Sequence, residues 1–309
     1  MAMLVLLTSQ PKQAQAAPKN TKSSSTTSST APRPNTIAKN PYLGAIVVDA
    51  ISGKVLFEDG ADRKGYPASV LKLMDLLIIL EKVEQKQFSF QDPVTVSAKA
   101  ANTGGSQVYL AHNETFSIDE LLYALMVKSA NDAAVALAEK VAGSTEAFTA
   151  LMNKKAKELG MTSTVFNSVH GLPPAAGQQD DVTTARDLAI LSRELLKHSD
   201  TLRYTSTRQR PFRANVEKRK IDMVTHNHLL SHVKGCDGLK TGYIAKAGFS
   251  IAVTAARNNQ RVVVIVLDSV DLKTRDARAR ELVEKGFAAI DPQLAATPDP
   301  KVKAHAAKK

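Results

Sequence analysis

Ser69 and Lys72 stand one helical turn apart in Pro67-Ala68-Ser69-Val70-Leu71-Lys72-Leu73-Met74. A serine hydroxyl becomes a strong nucleophile when a neighbouring base takes its proton, and a lysine can act as that base where its ammonium form is disfavoured. Burial supplies the condition, because an apolar surround penalises the charged form. The string Ser-x-x-Lys is not rare by itself: it also occurs at Ser9–Lys12 and Ser231–Lys234. Ser9 lies in a polar leader beside Pro11, and Ser231 follows a His-rich stretch without periodicity. Ser69 alone opens an apolar run, Val70 to Val83, whose Leu, Ile and Met residues predict a helix buried on nearly every side. At i and i+3 the two side chains face each other. In the first turn Ser69 also meets unpaired N–H groups and the positive end of the helix dipole.

Two further strings have side chains suited to the same chemistry. Ser129-Ala130-Asn131 is the one Ser-x-Asn of the chain, and Lys240-Thr241-Gly242 the one Lys-Thr-Gly. Alone, the first reads as a helix cap and the second as a strand end. The elements around them give both a place. Ala45 to Val48 and Lys54 to Phe57 read as a strand pair around Ile51-Ser52-Gly53. The buried helix follows from about Ala68 to Glu84. Amphipathic helical stretches come next at Ile118 to Val127, Asp132 to Ala142, Glu146 to Leu159 and Thr184 to Lys197, the last with Thr183 and Thr184 as cap candidates. Phe249 to Ala256 and Arg261 to Asp268 are β-rich with Asn258-Asn259 as their turn, and Lys273 to Ile290 closes as a helix. This order predicts an α/β (α+β) fold. An antiparallel sheet from both chain ends is covered by the first and last helices, with an all-helical insertion between. The cleft between these parts is the expected site.

Ser-x-x-Lys, Ser-x-Asn and Lys-Thr-Gly in this order resemble the signature of the serine penicillin-recognising enzymes. Pro67-Ala68-Ser69, Ser129-Ala130-Asn131-Asp132-Ala133-Ala134, His170-Gly171-Leu172-Pro173 and Asp237-Gly238-Leu239-Lys240-Thr241-Gly242-Tyr243 are similar to the low-molecular-mass D-alanyl-D-alanine carboxypeptidases. The resemblance runs from about Tyr42 to Ile290 and implies the β-lactamase/transpeptidase-like fold. It implies Ser69 as nucleophile, Lys72 as its base and Ser129 as proton relay. Asn131, Lys240, Thr241 and Gly242 would bind substrate, and the backbone N–H groups of Ser69 and Tyr243 would form the oxyanion hole. The implied substrate is the peptidoglycan stem peptide, with β-lactams as inhibitors and no cofactor. A D,D-endopeptidase cutting cross-links with the same machinery is the first alternative. A non-catalytic wall-binding protein is another, opposed by the intact Ser69, Lys72, Ser129, Asn131 and Lys240. A class A β-lactamase would need a Glu-x-x-Leu-Asn string between Asn131 and Lys240, which the chain lacks.

Some residues depart from that pattern. Asp75 stands where the family usually has a small hydroxyl residue, three positions after Lys72. A carboxylate there would favour the charged lysine; the expectation is that Asp75 turns to another partner and that Asp75→Thr acylates within tenfold of the parent. Ser168-Val169 stands where relatives often carry Asn-Pro, which affects the details of the substrate loop. His226, His228 and His232 could share a face only if Asn227 to Leu230 were a strand, and no paired Glu or Cys accompanies them; no metal is expected. Gly104-Gly105-Ser106 lacks the Lys-Ser/Thr of a phosphate loop and is expected to edge the cleft.

The chain has 309 residues, 43% of them hydrophobic, enough for a substantial core. Its single cysteine, Cys236, excludes an internal disulfide and reads as a packed strand residue. The net charge of +11 is concentrated at the ends: residues 1–40 hold five basic residues and no acid, and residues 291–309 hold four against two. Basic tails suit an anionic membrane or wall surface, and no aromatic-rich basic strand points to nucleic acid. Met3 to Leu7 with Ala14-Gln15-Ala16 reads as an export signal over 1–17, although its apolar segment is short and no Lys or Arg precedes it. A Ser/Thr/Pro linker over 18–40 is expected to be disordered, followed by a catalytic domain over 41–290 and a basic disordered tail over 291–309. The expected destination is the periplasm or cell-wall space. The chain ends soon after its last helix, without the β-rich domain many relatives add, so weak peripheral association is expected. Val302 to Lys309 is too short and too poor in large apolar residues for a membrane anchor.

Overall fold

A computed structural model describes residues 36–294. The expected export signal, most of the linker and residues 295–309 of the tail lie outside the described residues. The chain begins with β1 (Gly44–Asp49) and β2 (Val55–Asp59), and a 3-10 turn over Ala68–Leu71 leads into α1 (Lys72–Glu84). The middle contains β3 (Pro93–Thr95), α2 (Ala98–Ala101), β4 (Thr115–Ser117), α3 (Ile118–Tyr123), a π-helical turn over Ala124–Lys128, α4 (Asn131–Ala142) and α5 (Thr145–Glu158). It continues with α6 (Ala185–Leu195), α7 (Thr201–Thr205), β5 (Gln209–Phe212), β6 (Ile221–Val224) and α8 (Leu229–His232). Then β7 (Cys236–Ile244), β8 (Gly248–Arg257), β9 (Gln260–Ser269) and α9 (Leu272–Ile290) complete it.

Both chain ends supply one five-stranded antiparallel sheet in the order β2-β1-β9-β8-β7. Its two faces follow the period of two along a strand. Val262, Val264 and Val266 join Ala45, Val47, Ile251 and Val253 under Ala279, Leu282, Val283 and Phe287 of α9. Val263, Ile265 and Leu267, with Ile46 and Val48, face the helical layer on the other side. Asn258 and Asn259, at φ +45° and +63°, make the turn between β8 and β9. Asn is among the residues that tolerate this left-handed backbone, which two-residue hairpins with matching twist require.

The helix across β1 and β9 is α6, rather than α1 as the sequence predicted. The reason lies in the two surfaces. α6 buries one stripe, Ala185, Leu188, Ala189, Leu191, Ser192 and Leu195, and can leave its other side to solvent. In α1 every residue from Lys72 to Leu80 is buried, so it needs cover all round and finds it among α4, α5 and α6. The insertion is not all-helical: β3 pairs with β4 and β5 with β6 as two-stranded ribbons. Three- and four-residue strands with Pro93 and Pro211 inside them carry too little alternation to show in the sequence. Residues 36–40, assigned to the linker, are docked: Thr36 Oγ1 donates to Lys246 O at 2.9 Å and Lys39 N to Asp268 O at 3.0 Å. At the other end Leu294 is buried and its carbonyl accepts from Arg257 Nη1 at 2.8 Å.

Candidate active site

Ser69 lies in the 3-10 turn that precedes α1, next to Ala68 at φ +45°. Left-handed backbone is costly for a residue with a Cβ and persists where surrounding contacts enforce it. Here the enforcing neighbour is Gly171, itself at φ +76°, whose missing side chain leaves room for the Ala68 carbonyl. The loop around Gly171 therefore packs directly against the turn that presents Ser69.

Lys72 is fully buried, and its Nζ makes three hydrogen bonds: to Ser69 Oγ at 2.9 Å, Asn131 Oδ1 at 2.7 Å and the His170 carbonyl at 2.9 Å. Burial pulls its pKa down to about 7, against the opposing fields of Asp75, Asp132 and Asp181. At neutral pH a large share of the amine is then the free base. Free base donates two of the three hydrogen bonds and can accept the third from Ser69 Oγ–H.

Two of the acceptors around Lys72, those of Asn131 and His170, are held in place by further groups. Asn131 opens α4; its Nδ2 donates to Gly104 O at 2.8 Å and its backbone N–H to Ser106 O at 2.7 Å. Asp132 accepts from Val108 N at 3.1 Å and Leu110 N at 3.0 Å, which ties the same loop to the start of α4. Asp181 fixes the other side: it accepts from Asn167 N at 2.6 Å, Ser168 N at 2.9 Å and Ser168 Oγ at 2.7 Å. Ser168 Oγ in turn accepts from Gly171 N at 2.9 Å. The Ser168-Val169 departure thus keeps an anchored loop through this serine, and the His170 carbonyl reaches Lys72. His170 is largely buried; burial and the neighbouring Lys72 and Lys99 push its pKa down to about 4, so the ring is neutral.

A cavity of about 410 Å³ opens over Ser69, lined among others by Gly105, Ser129, Asn131, Leu172, Thr241 and Arg275. Ser129 enters it from the end of the π-helical turn at φ +62°. One wall is β7, where a Cβ on Gly242 would stand 2.8 Å from Pro67 O and 3.1 Å from Ser69 N. Glycine is therefore required for the strand to lie this close to the Ser69 turn. Lys240 is buried, with its Nζ donating to Thr241 O at 3.0 Å. Burial, then Lys72 and Arg275, holds its pKa well below the ordinary lysine value. The two lysines thus disfavour each other's charge. Gly105 and Ser106 edge the cavity as the sequence predicted.

Arg275 was missed by the sequence reading. It is 2% exposed, lines the cavity and is held by Asp276 Oδ1, at 2.9 Å from Nε and 2.6 Å from Nη2. A signal existed: Arg275 continues the apolar stripe of α9 through Ala279, Leu282, Val283, Gly286 and Phe287. A charge on a buried stripe usually has a partner or a function. Asp132 and Asp181 had no such signal, because their work is to bind backbone N–H groups.

Asp75 does not turn to another partner, contrary to expectation. It is 2% exposed, and among the described residues neither oxygen meets a hydrogen-bond donor. Burial raises its pKa well above the carboxylate range, with Lys72 opposing and Asp181 adding to the rise. The strand condition for the histidines also fails: residues 229–232 form α8, with His228 at its N-cap. His226 and His228 line the cavity, and His232 Nδ1 bonds the His228 carbonyl at 2.7 Å. Among the described residues no group of three His, Cys, Asp or Glu side chains could hold a metal ion. Cys236 opens β7 half-buried, and burial lifts its thiol pKa to about 11.

Residues 28–271 match the family described as D-alanyl-D-alanine carboxypeptidase, peptidase S11. The chain belongs to this family. The sequence is 36% identical over 261 residues to D-alanyl-D-alanine carboxypeptidase DacC of Escherichia coli, covering 82% of this chain and 63% of that one. It is 35% identical over 243 residues to DacF of Bacillus subtilis, covering 79% and 61%. The chain therefore spans about six-tenths of the length of these curated relatives. Penicillin-Binding Protein D2 from Listeria monocytogenes, solved in an ampicillin-bound form, superposes with a TM-score of 0.71 at 32% identity, covering 82% of this chain and all of that one. The mixed helix and antiparallel-sheet fold is thus that of the D,D-peptidase and penicillin-binding proteins.

Proposed function

We propose that the chain is a serine D-alanyl-D-alanine carboxypeptidase that removes the terminal D-Ala from peptidoglycan stem peptides and is inhibited by penicillin. The observation that carries this reading is the buried Lys72, with Nζ 2.9 Å from Ser69 Oγ and a pKa of about 7. Ser69 Oγ attacks the carbonyl of the D-Ala-D-Ala bond while Lys72 takes its proton. The oxyanion is met by the backbone N–H groups of Ser69 and Tyr243, a contribution that is usually the largest in acyl transfer. Ser129 relays the proton to the departing amine, the C–N bond breaks and D-Ala leaves. Water then attacks the acyl-enzyme, returning the proton to Ser69. Asn131 holds both Lys72 and the substrate amide. Thr241 and Arg275 line the cavity where the terminal carboxylate would bind, Lys240 supports that wall from behind through Thr241 O, and Gly242 lets the peptide backbone lie against β7.

Arg275→Ala is expected to raise the KM for peptides with a free terminal carboxylate by 10- to 100-fold. A charged hydrogen bond contributes about 1.5–3 kcal/mol, and steady-state kinetics on free and C-terminally amidated peptides would show whether the loss is confined to the acid. A peptidoglycan substrate would put the protein in the periplasm or wall space, where its basic ends would meet anionic polymer or lipid. Among the described residues no helix is long and apolar enough to cross a membrane. The test is digestion of purified muropeptides followed by HPLC. Shortening of pentapeptides supports the carboxypeptidase, resolution of cross-linked dimers supports the endopeptidase, and no product with either sinks the enzymatic reading.

A further inference from the structure

Three carboxyl groups surround Lys72, and two of them have structural work. Asp132 accepts backbone N–H groups of Val108 and Leu110, and Asp181 accepts those of Asn167 and Ser168. Asp75 has none. It lies in the first turn of α1, three residues after Lys72, with both oxygens buried and no donor reaching either among the described residues. It is not a hydrogen-bonded partner of the lysine, because the three bonds of Nζ go to Ser69, Asn131 and His170. A buried carboxyl without donors is costly as an anion, so its presence calls for a reason. What remains within its reach is the field at Lys72.

We propose that Asp75 is a positioning residue for acylation, acting through Lys72 one helical turn away to set the acid limit below which the lysine no longer serves as a base. The inference rests on the acyl-enzyme reading above and adds a residue that the reading does not use. The two groups behave as one coupled pair. While the carboxyl is ionised, its charge holds the proton on Lys72 more tightly, and the positive end of α1 favours that ionised form; burial opposes the ionisation and so limits the effect. The other charges facing Lys72 are Asp132 from α4 and Asp181 from the loop before α6, which favour its charge, while Lys240 from β7 is itself disfavoured as a cation by burial and by Lys72. The His170 ring beside it is neutral. Removing Asp75 takes away one stabiliser of the charged lysine, so the free base must persist to lower pH.

The experiment is the second-order rate of acylation by a fluorescent penicillin as a function of pH, for the wild-type chain, Asp75→Asn, Asp75→Thr and Asp75→Glu. The wild-type rate is expected to fall on the acid side with a midpoint near the lysine's value of about 7. In Asp75→Asn and Asp75→Thr that midpoint is expected to move down by about one pH unit, with the high-pH plateau within tenfold of wild type. Asp75→Glu should restore part of the shift. Thermal melting checks that each variant folds, and the two substitutions of different shape guard against a loss that is merely steric. Coincident acid limbs in all folded variants, or a limb moved upward, overturn the inference. A wild-type chain that folds but is not acylated at any pH overturns the enzymatic reading instead.

Discussion

Lys72→Met is expected to slow acylation by penicillin at least a hundredfold and up to about ten-thousandfold, the range that a positioned general base contributes. The same variant should hold or raise its thermal midpoint at neutral pH. Methionine fills nearly the same unbranched volume, and the neighbouring residues Leu71, Leu73 and Met74 are apolar. The lysine it replaces carries a cost. Its pKa is about 7 in the fold against 10.5 for the exposed side chain, so at pH 7 the unfolded chain binds the proton more strongly. That difference is about 4 kcal/mol against folding. The sign follows from proton counts: between the folded and unfolded values the unfolded state binds more protons, so this group's penalty shrinks as pH rises from 7 to above 10. Substitution removes the penalty and loses the hydrogen bonds to Asn131 and His170, each worth about 1–3 kcal/mol when a buried partner is left unsatisfied. Stopped-flow acylation and calorimetric melting of the two proteins measure both effects. A variant that acylates within tenfold of wild type would remove Lys72 from the mechanism.

Ser69→Ala has a larger effect on the covalent step: adduct formation with penicillin should disappear altogether, while the turn and its oxyanion donors stay in place. The contrast with Lys72→Met is diagnostic, since loss of a base slows a reaction and loss of the attacking atom ends it. No other group nearby is ready to take over. Cys236 keeps its proton, its thiol pushed up to about 11 by burial. Among the described residues Ser129 Oγ has no amine partner of the kind that Lys72 gives Ser69 at 2.9 Å. Intact-protein mass spectrometry after exposure to excess penicillin reads the result. An adduct of unchanged yield would mean that the nucleophile lies elsewhere, and peptide mapping would find it.

The sheet was legible because its strands carry dense Val and Ile runs with a turn signal, as at Arg261 to Asp268 with Asn258-Asn259 before it. The buried helix was legible from its apolar surround, although its neighbours on the sheet were not. Which helix covers which face depends on complementary surfaces of α1 and α6, a relation between distant segments. The grouping of Ser69, Lys72, Ser129, Asn131 and Lys240 was legible in residue types and spacing, and all except Lys72 and Lys240 line the cavity; those two lie buried behind its surface. Gly171 could not be interpreted in advance, because its role is to leave space for the Ala68 carbonyl. Asp132 and Asp181 bind main-chain donors of loops more than ten residues away, and such pairings leave no pattern in a single sequence. Asp75 was correctly marked as unusual and wrongly supplied with a partner. A carboxyl in a helix's first turn ordinarily finds donors, and this one is sealed from them.

A sheet has two rims, and a rim exposes a row of unpaired amides and carbonyls that invites pairing with other chains. In this sheet the two rims are β2 and β7. β2 is guarded by charge, with Glu58 and Asp59 in an exposed strand. Along β7 the Ser69 turn presses against the strand at Gly242, and the cavity opens beside Thr241 to Ile244. A peptide entering the cavity in extended form would be a sixth strand, held by the same row of groups that would otherwise seed aggregation. The rim is thereby reserved for short, transient strands, since the turn at Ser69 stops any longer partner from pairing along its full length. In the proposed carboxypeptidase, selectivity for a chain terminus would then come partly from the architecture of the sheet, ahead of any contact with the terminal carboxylate.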